Sequence, residues 1–316
     1  MSVTRLLCLL STLGTCAVLV VACSSEGTPV VPSSPGADGG GASSGGGGGT
    51  TILEDGAVVG PDGTVKPSDV STRNETFVFA GGTRRYVLAV PVDYADTKTY
   101  PLVLEMHGNP GSAEFMLGTY PFDGVSKREA IIVYANAAGT DWDLTTPKDT
   151  NGDMNYLVAL VDDVASKVSI DKARVLGTGW SGGGFMASQT ACRFAGLFKA
   201  IAIHAGGAPF VSDDGSPGKD GNDETVCPAG PVATIVVHGA ADGTVTPDSG
   251  DYAAYYWARL NGCNTDALSD TTPAPCKSYD GCPAATPVRY CRVEGHGHPM
   301  WAEGHAASWE FFKSLP

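Results

Sequence analysis

Short apolar runs alternate with helical patterns through the last two hundred or so residues of this 316-residue chain, and this constrains its fold most. The runs at 101–106, 130–134, 200–204 and 232–238 are near-continuously apolar and of strand length. Residues 154–168 place Leu157, Leu160, Val161 and Val164 at helical spacing, and 185–194, 252–260 and 306–313 read as further helices. Strands apolar on both faces need cover on both sides, and strands separated by helices pair in parallel. The expectation is an α/β domain over 70–316, with a mostly parallel central sheet and helices on both faces. A hairpin, 76–80 with 84–90 across Gly81-Gly82, precedes the parallel part. In such sheets chemistry collects at the carboxyl ends of the strands.

The residues before this domain follow other rules. Residues 1–22 carry Arg5 and then an apolar run, a pattern that fits a secretory signal and is short for a membrane span. Val20-Val21-Ala22-Cys23 resembles a bacterial lipobox, which implies lipidation of Cys23 and anchoring at an outer membrane or cell surface. Residues 24–50 are almost wholly Gly, Ser, Ala and Pro, too poor in apolar surface to fold. They read as a tether of roughly 30 Å root-mean-square reach. With the polar leader at 51–69, they form a segment over 23–69. Acidic residues outnumber basic ones, 34 to 20, and no basic cluster exists, which argues against a nucleic-acid partner. The only membrane contact expected is the lipid anchor. Six cysteines fall in the domain: Cys192, Cys227, Cys263, Cys276, Cys282 and Cys291. An even number in an exported chain reads as three disulfides. No CxxC is present, so a zinc site is a poor reading, and no metal is expected.

The chemistry concentrates around Ser181. Gly179-Trp180-Ser181-Gly182-Gly183 is a GxSxG string, but with 42 glycines the pattern arises by chance, as Gly41-Ala42-Ser43-Ser44-Gly45 in the tether shows. Context separates the two: a short strand at 174–177 precedes Ser181 and a helix follows it, the setting of a nucleophile elbow. A serine needs a base, and in this setting the chain order is Ser, acid, His. Asp242 lies on the loop leaving the 232–238 strand, with Asp248 and Asp251 as rivals further from the strand end. His296 and His298 both follow the last strand, Val288–Val293, and spacing does not decide between them. His305 reads as a surface residue at the start of the final helix. An oxyanion hole takes the amide of Gly182 and a second donor from His107-Gly108-Asn109-Pro110-Gly111. Pro110 lacks an N–H, leaving Asn109 or Gly111, and His107 reads as a packing residue. Trp180, Trp142, Tyr120 and Trp301 are candidates to line an aromatic acyl pocket. This chemistry requires no cofactor.

Assembled, these residues resemble the feruloyl esterase and polyhydroxybutyrate depolymerase group of α/β-hydrolases, which is carbohydrate esterase family 1-like. The resemblance rests on 101–108, Ile170-Asp171 through Arg174, 179–186, the Val237-His-Gly-Ala-Ala-Asp242 loop, and 290–298. It implies the α/β-hydrolase fold and a serine esterase with Ser181, Asp242 and His298 as its triad, and places the base on His298 rather than His296. It implies Asn109 and Gly182 as oxyanion donors, although Asn109-Pro110 departs from the group's usual loop. The spacing of Cys263, Cys276, Cys282 and Cys291 looks most like feruloyl esterases, implying hydroxycinnamoyl esters of plant polysaccharide as substrate. Trp180 and Trp301 are the substrate-binding candidates. A polyester depolymerase, an acetylxylan esterase, a peptidase of the same fold and a non-catalytic glycan-binding lipoprotein are the alternatives.

Overall fold

The structure, a computed structural model, describes residues 68–211, 213 and 225–316, together with three short strands before them. The expected signal at 1–22, Cys23 and the tether at 24–50 lie outside the described residues. Within the stretch read as a polar leader, β1 (Thr51–Ile52), β2 (Val58–Val59) and β3 (Val65–Lys66) pair antiparallel in that order. Among the described residues no helix is long and apolar enough to cross a membrane.

Ten strands build the main sheet. β4 (Val70–Phe79) and β5 (Gly82–Pro91) are the expected hairpin, turning through Ala80 and Gly81, both at positive φ. β6 (Tyr100–Met106), β7 (Ile131–Ala135), β8 (Ile170–Trp180), β9 (Ala200–His204), β10 (Ala233–Gly239) and β13 (Val288–Val293) all run parallel. The order across the sheet is β11-β12-β13-β10-β9-β8-β6-β7-β5-β4. The sequence reading missed β11 (Asn264–Asp270) and β12 (Cys276–Asp280), which close one edge antiparallel. Both are largely polar and at most partly buried apart from Cys276, so neither carries a buried apolar run.

Among the described residues six α-helices cover the sheet. α3 (Gly152–Lys167), α4 (Gly182–Arg193) and α5 (Pro247–Leu260) lie on one face, packing Leu157, Met186 and Trp257 against Leu102, Leu104, Val133 and Val236. α1 (Ala113–Thr119), α2 (Asp123–Ser126) and α6 (Gly304–Lys313) lie on the other, where Met116, Trp309, Phe311 and Phe312 meet Val103, Ile132, Ile235 and Val237. Successive strand residues thus serve opposite cores, which is why the strands read as unbroken apolar runs.

The cysteine pattern differs from expectation. Cys263–Cys282 and Cys276–Cys291 are disulfides that tie the β11–β12–β13 edge together. Cys192 and Cys227, also expected in disulfides, are instead free thiols. The Cys192 thiol, at the end of α4, hydrogen-bonds with Cys227 and is buried, and both effects push its pKa far up. Cys192 Sγ is also 3.8 Å from the Val226 carbonyl. A thiol held protonated is the unreactive form, since disulfide exchange proceeds through the thiolate.

Candidate active site

Ser181 stands where β8 ends and α4 begins, with φ 55° and ψ −119°. This left-handed backbone is unfavourable for a residue with a side chain, by about 1–3 kcal/mol, and must be held by its surroundings. The Ser181 amide donates to the carbonyl of His204 on the neighbouring β9 at 2.8 Å, and its own carbonyl accepts from Phe185 at 3.1 Å. Close approach explains the flanking glycines. A Cβ on Gly179 would run into the backbone of Gly183, and one on Gly183 into the carbonyl of Met106. Such a tight turn lifts the serine side chain clear of the sheet.

Two loops from other strand ends complete the constellation. His298, on the loop after β13, places Nε2 3.0 Å from Ser181 Oγ and Nδ1 2.8 Å from Asp242 Oδ2. Asp242 follows β10, and its other oxygen accepts from the amides of Thr244 and Val245 at 2.8 and 3.0 Å. Burial alone would raise the Asp242 pKa, but the His298 bond and the two amides outweigh it and hold the carboxyl below its usual range. Asp242 is therefore ionised at neutral pH, so Nδ1 carries the proton and Nε2 is free to accept one. The rivals are turned elsewhere. Asp251 accepts from the Tyr290 hydroxyl at 2.6 Å and pairs with Arg292, and His296 Nε2 lies 2.7 Å from the Pro299 carbonyl.

The β6–α1 loop faces the start of α4. Gly182 opens α4, so its amide is among those left without an intrahelical acceptor. The Gly111 amide is occupied by the Thr140 carbonyl at 2.9 Å, whereas among the described residues the Asn109 amide makes no such bond. Asn109 Oδ1 accepts from the Trp142 amide at 3.0 Å, which fixes the loop from behind. His107 is fully buried and does the same: Nδ1 donates to the Gly108 carbonyl at 2.7 Å and Nε2 accepts from the Ala137 amide at 3.2 Å. Burial lowers its pKa and keeps it neutral, as this pattern requires. Trp142 is not a pocket wall. It is buried, stacks on His107 at 4.8 Å, and its Nε1 donates to the His107 carbonyl.

Trp180, Tyr120 and Trp301 are only partly buried and lie on the other side of the serine loop. Trp180 donates from Nε1 to the His298 carbonyl at 2.8 Å, and its ring centre is 5.1 Å from His298, 5.6 Å from Tyr120 and 6.1 Å from the exposed Phe115.

Three site residues escaped the sequence reading. Phe115 extends the aromatic wall from a helix too short to show a period. His238, buried at the end of β10, places Nε2 2.9 Å from the Val245 carbonyl and 3.5 Å from Asp242 Oδ2, so it braces the acid loop. It sits in the same His-Gly-Ala-Ala-Asp string as Asp242, which is the signal that could have found it. Glu105, inside an apolar strand, pairs with His305. His305, expected at the surface, is instead buried against Phe122, because α6 lays this face on the sheet.

Comparison with known proteins adds the following. The model of the prolyl oligopeptidase family matches residues 121–217, a stretch that includes Ser181 but neither Asp242 nor His298. The chain is similar to feruloyl esterase C of Emericella nidulans, 27% identical over 245 residues, covering 72% of this chain and 83% of that one. Its fold is similar to that of an acetyl xylan esterase from Aspergillus awamori, with TM-score 0.62, 18% identity, and coverage of 77% of this chain and 100% of the other. It is also similar to the feruloyl esterase module from Clostridium thermocellum, with TM-score 0.59, 11% identity, and coverage of 79% and 89%. The fold is the α/β-hydrolase fold, and the chain is a carboxylic ester hydrolase.

Proposed function

We propose that this esterase cleaves hydroxycinnamoyl esters of plant polysaccharide through an acyl-enzyme on Ser181. The observation that carries the reading is the continuous hydrogen-bonded path from Asp242 through both nitrogens of His298 to Ser181 Oγ. Ser181 Oγ attacks the ester carbonyl carbon as its proton passes to His298 Nε2. The Asn109 and Gly182 amides hold the oxyanion of the tetrahedral intermediate, where preorganised donors act strongly. His298 then delivers its proton to the leaving alcohol oxygen, the C–O bond breaks, and the acyl group stays on Ser181. A water enters, His298 takes its proton, and a second collapse frees the acid and restores the serine. Asp242 keeps the imidazole in its productive tautomer and stabilises the imidazolium. No cofactor takes part.

Trp180 and Trp301 are the substrate-binding residues of this reading, because Trp180 touches the base, Trp301 lies three residues beyond it, and both offer aromatic surface. Similarity to a feruloyl esterase supports the acyl group chosen. Export by residues 1–22, lipidation of Cys23 and a tether to a cell surface complete the proposal. Two disulfides in the domain are in keeping with an oxidising compartment.

The test is a fluorophosphonate probe followed by three assays on the purified protein. Labelling is expected in the parent and absent in Ser181→Ala; no labelling of the parent overturns the serine mechanism. Methyl ferulate, acetylated xylan and poly(3-hydroxybutyrate) then separate the substrates, with methyl ferulate expected to turn over fastest. Preference for either of the others replaces the substrate assignment and leaves the mechanism standing.

A further inference from the structure

Beside the catalytic loop lies a cleft with Trp301 in its wall. It has a volume of about 340 Å³ and is lined by Tyr120, Pro121, Val125, Met300, Trp301 and His305, among others. That size falls within the roughly 300–1,000 Å³ of sites that take small organic molecules. Apart from Thr119 and His305, its walls are apolar or aromatic. Met300 and Trp301 belong to the segment just after His298, and Tyr120 touches Trp180, which touches His298. Through Trp180, cleft and triad are joined by a run of touching rings.

The cleft wall also carries a largely buried imidazole. The His305 side chain is only 7% exposed, and its Nε2 lies 3.2 Å from Glu105 Oε1. Glu105 is fully buried in β6. A carboxylate at Nε2 fixes the imidazole proton there and leaves a lone pair on Nδ1. Among the described residues Nδ1 has no hydrogen-bond partner, yet it is not among the fully sealed unpaired atoms, so it is the ring nitrogen left accessible on a residue that lines the cleft. A largely apolar and aromatic cleft with an imidazole acceptor in its wall is complementary to an aromatic ring that carries a hydroxyl.

We propose that the cleft holds the aryl end of the ester and that His305 Nδ1 accepts a hydrogen bond from a ring hydroxyl, making His305 a specificity-determining residue. The proposal rests on the hydroxycinnamoyl reading above and narrows it: a free hydroxyl is read, and a methyl ether at the same position is not. Glu105 acts through His305 as a positioning residue, since it sets which nitrogen faces the substrate.

The experiment compares kcat/KM for methyl 4-hydroxycinnamate, methyl 4-methoxycinnamate and methyl cinnamate, using the parent protein and His305→Leu. The parent is expected to favour the hydroxylated ester about five- to tenfold over both others, the worth of one neutral hydrogen bond. His305→Leu is expected to bring the three rates together. Because the leucine leaves Glu105 unpaired and can impair folding, free 4-hydroxycinnamate and cinnamate are also compared as inhibitors of the parent, the former expected to bind more tightly. Equal rates and equal inhibition in the parent overturn the role of His305, as does a preference that survives in a folded His305→Leu. A preference that follows the alcohol part, seen on replacing methyl by arabinosyl, places sugar rather than aryl in the cleft and also overturns it. Failure to hydrolyse any cinnamate while an acetyl ester is cleaved defeats the substrate reading itself, a result distinct from these.

Discussion

His298 and His305 lie close in sequence, and each is hydrogen-bonded through one ring nitrogen to a buried carboxylate, yet they face different things. Asp242 holds His298 by Nδ1, so the far nitrogen Nε2 reaches Ser181. Glu105 holds His305 by Nε2, so the nearer Nδ1 faces the cleft. The carboxylates also differ in how completely they are bound. Asp242 spends its second oxygen on two amides, while Glu105 Oε2 has no partner. The comparison shows that an acid–imidazole pair is not a catalytic device by itself. What separates the two is a serine on a strained turn at one outer nitrogen and an open slot at the other.

The sharpest way to break this distinction begins with the serine. Ser181→Ala is expected to lower kcat on methyl ferulate by about 10⁶-fold, as loss of a nucleophile does in comparable hydrolases. A residual rate within a hundredfold of the parent would mean that the hydrolysis does not pass through this residue. Exchanging the carboxylates for amides comes next. Asp242→Asn is expected to cost about 10⁴-fold in kcat through the wrong imidazole tautomer. Glu105→Gln is expected to cost no more than about tenfold, on the scale of one hydrogen bond. Equal losses in the two variants would erase the difference between the pairs.

Stability separates the regions further. Cys276→Ser with Cys291→Ser opens a loop of sequence separation 15 on the strand that leads to His298, and is expected to lower the unfolding free energy by about 3 kcal/mol in urea titrations. In the Cys192→Ser, Cys227→Ser pair no bridge is lost, so the change is expected to stay below about 1 kcal/mol. Peptide mapping under non-reducing alkylation should find both of these thiols free. The acid limb gives the last test. Because the folded Asp242 has a lowered pKa, its contribution to stability is full above the unfolded value of about 3.9 and is lost as pH falls through the lower folded value. Asp242→Asn should therefore flatten the stability profile in that acid range. An unchanged slope would show that the carboxyl gains nothing from His298.

Much of the catalytic half of this comparison is legible in the sequence. Ser181, Asp242 and His298 each follow a strand, and a strand end is recognisable where an apolar run meets glycine. The choice of His298 over His296 came from resemblance, because both sit in a glycine-flanked loop with no period to assign a direction. The second half is illegible for a physical reason. Glu105 and His305 are far apart in the chain, and a lone glutamate in an apolar run carries no local mark of its partner. His305 heads an amphipathic helix whose inward face, carrying His305 and Trp309, packs on Phe122. Likewise Trp142 was grouped with the pocket aromatics, and only its contact with His107 places it behind the oxyanion loop. The even cysteine count predicted one bridge too many, since parity says nothing about whether two thiols meet in a reactive form.

The two disulfides overlap along the chain, one closing 263–282 and the other 276–291. Every peptide bond between Cys263 and Cys291 is therefore enclosed by at least one covalent ring. A protease that nicks this exposed edge once leaves the C-terminal piece, with His298 on it, still attached to the remainder. That arrangement turns a cut that would sever the proposed base from its serine into a scar.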